Sequence, residues 1–499
     1  MSDPATGCRP PATGKSLLAL GVAALTAAAI VVTGGNLAAA IAPALLAAAI
    51  VALILAPLRA CVMSLIFLSI LADAPQDNPM SGHWRSPLYG LGELLCNNLS
   101  TTFGVPMPLS GIDLIAIVLL VRVALSQRTI VAAPLRVAAG AFFAALVALA
   151  AAGAARGGNG DAAYWQVRQL AWMPGFIFLA AHALDDDAAL VRLSRLILAA
   201  ALIKSAVGFY FRFAIAAPNG IESPVILSHS ETLLLCLSIA ILAVRWLEQP
   251  KASALLYFPP ILAAIWLNNR RLAWVGLTAS AAILWNFVRW NAGKRALART
   301  VLIALPLAVA YVAAGWQSDA PAFRPVAAAR TVISPRRTVV KAGADSSTRA
   351  REIENFNLSQ TLREHPLGTG LGHPYEEAIK GPDISSDFAL YRYIPHNEVL
   401  WMMTAAGPFG FFLLWCLFAV GIFLAARSHR FARTPVERCA ALASLCGQVL
   451  FLIQAWGDMG TQSWSAVWLA SVSLATAGTL AVRTGAWAWH PAPQPVSCA

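Results

Sequence analysis

Charged residues are scarce in this 499-residue chain: they make up 12% of it, against 58% hydrophobic residues and a mean hydropathy of +0.66. Soluble domains carry about 25% charged residues, so the composition excludes an ordinary soluble protein. Apolar runs such as residues 16–34 and 407–426 have the roughly 20 residues that a helix needs to cross a bilayer. The run that opens the chain is too long for a secretory signal and predicts a retained first helix.

Cysteine pairs and concentrated basic patches are also missing. None of the eight cysteines forms a CxxC pair, so the sequence predicts no disulfide, no zinc site and no other metal site. The formal charge of +12 comes from basic residues scattered in short segments between apolar runs. That distribution argues against a nucleic-acid partner, and no bound cofactor is expected.

The apolar runs predict an all-α, polytopic membrane protein with about 12–14 transmembrane helices, the first two centred near residues 25 and 47. Strands would show a weaker, ten-residue alternation. Basic residues such as Arg59 and Arg122 lie in alternate connections, which by the positive-inside rule predicts a cytoplasmic N-terminus. Residues 316–396 then form a large outer loop.

Three parts follow from this plan: N-terminal transmembrane helices over 1–315, a large periplasmic loop with short helices over 316–397, and C-terminal transmembrane helices with a short tail over 398–499. The first half of the loop has no helical period and is expected to be extended or mobile. The second half predicts a helix that ends near Glu364, before a proline and several glycines. No internal repeat is visible.

Ionisable residues are rare in membrane spans and tend to face a protein interior or a cavity. Those of this chain are predicted at helix ends on the outer side, where they indicate one polar chamber. They are Arg168, Arg212, His229, Glu231, Arg270, Arg271, His396, Glu398 and Asp458.

Simpler interpretations exist for several of them. For Arg168 and Arg212, the alternative is that the side chain only reaches lipid headgroups. For His229 and Asp458, the alternative is a role as interfacial helix caps. His396, with the Asn and Glu that follow it, also fits a plain helix entry.

Two further points limit the choices. Adjacent arginines lie about 100° apart around a helix, so at least one of Arg270 and Arg271 should face inward.

The glycine stretch 365–372, HPLGTGLG, lacks the features of a phosphate-binding loop or a dinucleotide fingerprint and predicts a chain-reversing turn.

Several arginines around one chamber suit a phosphate or diphosphate ligand, because the guanidinium group stays charged and donates in bidentate fashion. A histidine beside them can exchange a proton with a hydroxyl. Together they are compatible with glycosyl transfer from a diphosphate without a metal.

Residues 265–425 resemble the O-antigen ligase and polymerase superfamily, which are polytopic, GT-C-type glycosyltransferases. The resemblance is carried by RRLAW at 270–274, the long loop with HPLGTGLG, and PHNEVLWMMTAAGPFGFF entering the next span. It implies His396, Arg271 and Arg351 as catalytic residues, with Arg349 as the alternative to Arg351 and Arg270 as the alternative to Arg271. Members of the family commonly have a small or polar residue before the span arginine, where this chain has Arg270. They commonly have an aromatic residue about four positions after the loop arginine, where this chain has Asn355 followed by Phe356.

The resemblance implies transfer of an undecaprenyl-diphosphate-linked glycan to a sugar acceptor at the periplasmic face of the inner membrane. In the family the arginines bind the diphosphate and the histidine assists the acceptor hydroxyl. A polysaccharide polymerase is favoured slightly over a ligase that acts on lipid A-core, and a flippase and a chain-length regulator are expected partners beside the membrane lipids.

Two other functions compete with glycan polymerisation or ligation. A transporter would predict inverted repeats and charges near the membrane midplane. Transfer of the glycan to protein would normally add a soluble acceptor-binding region, and none is visible in the sequence.

Overall fold

A computed structural model describes residues 48–73, 84–99, 109–126, 130–221, 225–250, 252–318, 320–323, 326–327, 330, 346–381, 383–385 and 388–487, with scattered positions between 21 and 31. The predicted spans near residues 25 and 47 lie largely outside these ranges. So do most of the first half of the large loop and the end of the C-terminal tail.

The described ranges contain helices and no β-strand, which confirms the predicted all-α class. The α-helices are α1 (Leu58–Leu71), α2 (Tyr89–Cys96), α3 (Gly111–Leu125), α4 (Ala133–Ala155), α5 (Gly160–Ala183), α6 (Asp187–Tyr210), α7 (His229–Glu248), α8 (Ala252–Leu255), α9 (Phe258–Asn268), α10 (Arg271–Phe287), α11 (Ala292–Gly315), α12 (Ser346–Glu364), α13 (Glu398–Phe431), α14 (Pro435–Gly457) and α15 (Trp464–Thr484). A π-helix, Phe211–Ala216, continues α6 without a break, and a short 3₁₀ turn covers Pro321–Phe323.

Seven helical segments in the described ranges are long and apolar enough to cross a membrane, which makes the protein a polytopic membrane protein. They are α4, α6 with its π-helical extension, α7, α11, α13, α14 and α15. The sequence also predicts spans near residues 66, 118, 174, 260 and 280, where the structure has α1, α3, α5, α9 and α10. Of these, α1 and α9 are apolar but shorter than 18 residues. Asn268 and Asn269 end α9 early, because Asn269 adopts a left-handed conformation with φ of 50°.

The core of the bundle forms around α15, which is buried along nearly its whole length. It packs against α1, α5, α7, α13 and α14. Trp468 of α15 is fully buried and stacks on Phe176 of α5, with ring centroids 3.8 Å apart. A helix buried on all sides leaves its neighbours to face the lipid.

Local caps fix where the site helices begin. Ser228 and Glu231 form a capping box at the start of α7, so His229 is its first residue. Asn397 accepts from the backbone N–H of Leu400 and caps α13 just after His396.

The loop helix α12 runs to Glu364, as the sequence predicts, and packs against α13. Asn357 of α12 makes two hydrogen bonds to the backbone of Ile379, through its amide nitrogen and its carbonyl oxygen. Thr361 accepts from the N–H of Glu376. These bonds tie the chain after α12 back onto that helix.

Glycines 368, 370 and 372 all have φ between 81° and 86°, a region that residues with a side chain rarely adopt. The N–H of Gly370 donates to the carbonyl of Ala405 in α13, next to Gly407, where α13 is kinked. The carbonyl of Gly372 accepts from Asn159 at the start of α5. The glycine stretch therefore forms turns that lie directly on the backbones of neighbouring helices.

Candidate active site

Asp458 is the centre of a cluster that contains basic groups from three other parts of the chain. It caps the end of α14, and its side chain is only 4% exposed. Its carboxylate contacts Nδ1 of His229 at the start of α7. Nη2 of Arg351 on α12 lies 3.6 Å from Oδ1, and Nη1 of Arg270, just before α10, lies 3.9 Å from Oδ2.

The charge state of Asp458 follows from these neighbours. Burial alone would raise the pKa of its carboxyl group. Contact with His229 and the positive charges of Arg351 and Arg270 oppose that effect and lower the pKa from 3.8 to about 2. The carboxylate is therefore ionised at neutral pH and holds the cations together.

His229 links Asp458 to Arg270. Nη1 of Arg270 lies 3.2 Å from Nε2 of His229. A guanidinium group can only donate, so Nε2 must accept and the ring proton lies on Nδ1, toward Asp458. This arrangement requires a neutral imidazole and assigns His229 to holding Arg270 in place.

The two arginines keep unused donors. The Nε–H groups of Arg270 and Arg351 are buried and have no acceptor within the described part of the chain. Buried donors without partners are rare in folded proteins, so these two are candidates for contact with a ligand. An anion with several oxygens would satisfy both.

His396 lies beside the cluster through α12. Glu354 follows Arg351 by three positions and therefore shares its helix face. The carboxylate of Glu354 accepts from the backbone N–H of His396 at 3.1 Å and lies 3.3 Å from its Nδ1. Sequence reasoning missed Glu354, and only its spacing from Arg351 could have drawn attention to it.

Glu398 is fully buried at the start of α13. Its carboxylate accepts from the N–H of Thr461 at 2.7 Å and from the hydroxyl of the same residue at 2.5 Å. Thr461 belongs to the short segment between α14 and α15 that also contains Asp458. Through these two hydrogen bonds, Glu398 holds the start of α13 against the segment that contains Thr461 and Asp458.

Glu231 belongs to a different cluster. Nζ of Lys204 in α6 lies 2.5 Å from Glu231 and also contacts Asp73, which accepts a second bond from Ser86. Lys204 is fully buried. The sequence contained a signal for it, since a lone lysine within an apolar run needs an acidic partner.

Arg168 does not lie at a helix end as predicted. It lies inside α5, is 4% exposed, and its Nη2 donates to Asp113 of α3 at 2.8 Å. Tyr164, Trp165 and Trp464 surround its guanidinium group at 5.4–5.5 Å. The lipid-headgroup interpretation is wrong for Arg168, because the side chain is enclosed by the protein.

The remaining predicted residues take different positions. Arg271 is the first residue of α10 and is half-buried, next to Arg270. Arg212 lies in the π-helix and is half-buried. Arg349 is exposed on α12, so Arg351, and not Arg349, is the loop arginine that meets Asp458.

The predicted single chamber is thus three linked groups. The Asp458 cluster with His396 forms one, the Lys204 cluster the second, and the Arg168–Asp113 pair the third. The segment between α14 and α15 carries Asp458, and its last residue, Ser463, lines a small cavity with Glu231. Trp464, the first residue of α15, adjoins Arg168.

Comparison with known proteins addresses the same region. The sequence model of a family described as O-Antigen ligase matches residues 254–415, a range that contains Arg270, Arg271, Arg351, Glu354 and His396. No curated protein sequence matches the chain. The family implies a glycosyltransferase-type enzyme in a membrane. Over these residues, about a third of the chain, the sequence is therefore similar to the O-antigen ligase family, which supports membership of that superfamily.

Proposed function

We propose that the protein transfers an undecaprenyl-diphosphate-linked oligo- or polysaccharide to a sugar acceptor, as a polysaccharide polymerase. The reaction takes place at the periplasmic face of a bacterial inner membrane, with the N-terminus in the cytoplasm, and it inverts the anomeric centre without a metal. The observation that carries the proposal is the pair of buried Nε–H donors of Arg270 and Arg351, which have no acceptor among the described residues; Glu354, on the same helix as Arg351, contacts His396.

The diphosphate of the donor lipid binds between these arginines and Arg271. Asp458 neutralises one positive charge and leaves an excess of cations for the anionic leaving group. The acceptor hydroxyl oxygen attacks the anomeric carbon, and the bond from that carbon to the diphosphate oxygen breaks. The electron pair stays on the diphosphate, where the guanidinium groups stabilise the charge that develops.

His396 is the group placed to take the proton of the acceptor hydroxyl. It lies beside the arginine cluster, and its side chain is 34% exposed, so a substrate hydroxyl can reach the ring. Arg168 is paired with Asp113 and has no role in this step, and Glu231 and Glu398 support helix ends around the site.

A ligase that joins the finished glycan to lipid A-core is the second candidate, since the matched family is described as O-Antigen ligase. Both activities use the same donor chemistry and differ in the acceptor.

The test is glycan synthesis in a strain that lacks the native gene and is complemented with wild type, His396→Ala, Arg271→Ala or Arg351→Ala at matched membrane expression. We expect lipid-linked glycan to accumulate with each variant. Accumulated single repeat units would identify a polymerase, and accumulated finished polymer would identify a ligase. Normal glycan in all three variants would contradict the proposal and favour a transporter.

A further inference from the structure

Glu354 holds His396 at two points. One carboxylate oxygen accepts from the backbone N–H of His396 at 3.1 Å, and the two oxygens lie 3.3 Å and 3.4 Å from its ring Nδ1. A contact with the main chain fixes the position of the residue. A contact with the ring nitrogen fixes the orientation of the imidazole.

The carboxylate is itself held firmly. Its side chain is 10% exposed and projects from α12, whose later turns are tied to Ile379 and Glu376 by Asn357 and Thr361. A buried group on an anchored helix loses little freedom when it orients a neighbour.

The chemical consequence concerns the ring proton. A carboxylate only accepts hydrogen bonds, so the imidazole must carry its proton on Nδ1 where it faces Glu354. Nε2 then has a free lone pair, and it has no partner among the described residues. The exposed part of the ring can present this nitrogen to a substrate hydroxyl.

We infer that Glu354 is a positioning residue that keeps His396 in the Nδ1–H tautomer, so that Nε2 is the atom that accepts the proton of the acceptor hydroxyl. The catalytic meaning of this inference rests on the proposed function. As the acceptor oxygen bonds to the anomeric carbon, its proton moves to Nε2 and the diphosphate leaves with the electron pair. The imidazolium formed has N–H groups on both nitrogens, and Glu354 faces the one on Nδ1.

A purely structural role for Glu354 makes a different prediction. If the residue only tethers the backbone of His396, an amide should replace it well, because the oxygen of Gln still accepts from the main-chain N–H. If Glu354 sets the tautomer, Gln should fail, because its NH₂ can donate to Nδ1 and favour the opposite, Nε2–H form.

The experiment uses the full-length protein in lipid nanodiscs with Glu354→Gln, and Glu352→Gln as the matched control. Glu352 is exposed on the same helix. The ¹⁵N spectrum of histidine-labelled protein reports the tautomer, and the His396→Gln spectrum identifies the signal of His396. We expect the Nδ1–H form in wild type and the control, and the Nε2–H form in Glu354→Gln.

A second measurement uses undecaprenyl-diphosphate-linked glycan as the donor. We expect Glu354→Gln to lower kcat by roughly 10- to 100-fold with an unchanged KM for the donor, the effect typical of groups that orient a reactive histidine or ligand. An unchanged tautomer together with wild-type kcat would overturn the inference. If wild type transfers no glycan, the proposed function fails, while the nitrogen spectrum still decides whether Glu354 sets the tautomer.

Discussion

Nη2 of Arg351 lies 3.6 Å from Oδ1 of Asp458, although one residue belongs to a helix of the large loop and the other ends a membrane helix. The contact joins the loop to the helix bundle at the point where His229 and Arg270 also meet Asp458. One buried carboxylate therefore determines the placement of three basic side chains.

Asp458→Asn should destabilise the protein. The amide keeps the shape of the side chain but leaves Arg270 and Arg351 without their counter-charge in a largely buried site, which costs roughly 3 kcal/mol. Thermal unfolding in nanodiscs measures the effect, with Asp161→Asn as a control because Asp161 is exposed at the start of α5. Equal melting temperatures for both variants would contradict the central role of Asp458.

The same carboxyl group predicts a pH dependence. Its pKa in the folded protein is about 2, below its ordinary value of 3.8, so its contribution to stability is fully present above the ordinary value. It is lost as the pH falls through 3.8 toward 2. The stability difference between wild type and Asp458→Asn should therefore be constant from about pH 5 upward and shrink in acid. Unfolding measured across this pH range tests this expectation. A stability difference that stayed constant down to pH 2 would contradict the low pKa of Asp458.

Lys204→Met should reduce the yield of folded protein. It leaves Asp73 and Glu231 buried together without their shared cation, and breaking a buried ion pair costs roughly 3–5 kcal/mol. Arg192→Gln, an exposed position on the same helix, is the control. The triple variant Lys204→Met, Asp73→Asn, Glu231→Gln should recover much of the loss, as judged by size-exclusion profiles and melting temperature. Failure of Lys204→Met to differ from the control would show that the ion pairs do not stabilise the fold.

Gly370→Ala should destabilise the turn that lies on α13 and α4. The residue has φ of 81°, and an added Cβ would lie 2.5 Å from the backbone nitrogen of Gly153. We expect a loss of about 2 kcal/mol, within the usual cost of a strained backbone. Gly140→Ala on α4 has open space around it and should be neutral or stabilising. Similar melting temperatures for the two variants would contradict the close backbone packing.

Local signals in the sequence were enough for some of these features. The apolar runs predict a membrane protein, and the proline and glycines after Glu364 predict where α12 ends. Ser228 and Glu231 have the spacing of a capping box, so the start of α7 at His229 is encoded within four residues.

Other features depend on contacts between distant segments. Glu354 contacts His396 only when α12 packs against the start of α13, and the local sequence around Glu354 does not predict that contact. Arg168 resembles an interfacial arginine in sequence, yet the folded bundle encloses it with Asp113. Whether Arg351 or Arg349 reaches Asp458 depends on the rotation of α12, which is a property of its packing.

The most direct test of the account is release of undecaprenyl diphosphate from a purified lipid-linked glycan by the full-length protein in nanodiscs, compared between wild type, Arg351→Ala and Arg349→Ala. We expect Arg351→Ala to lower the rate of release roughly 100-fold, because one group that stabilises the developing charge is lost. Arg349→Ala, on the same helix but exposed, should stay close to wild type. Equal rates for Arg351→Ala and wild type would contradict diphosphate binding at the Asp458 cluster.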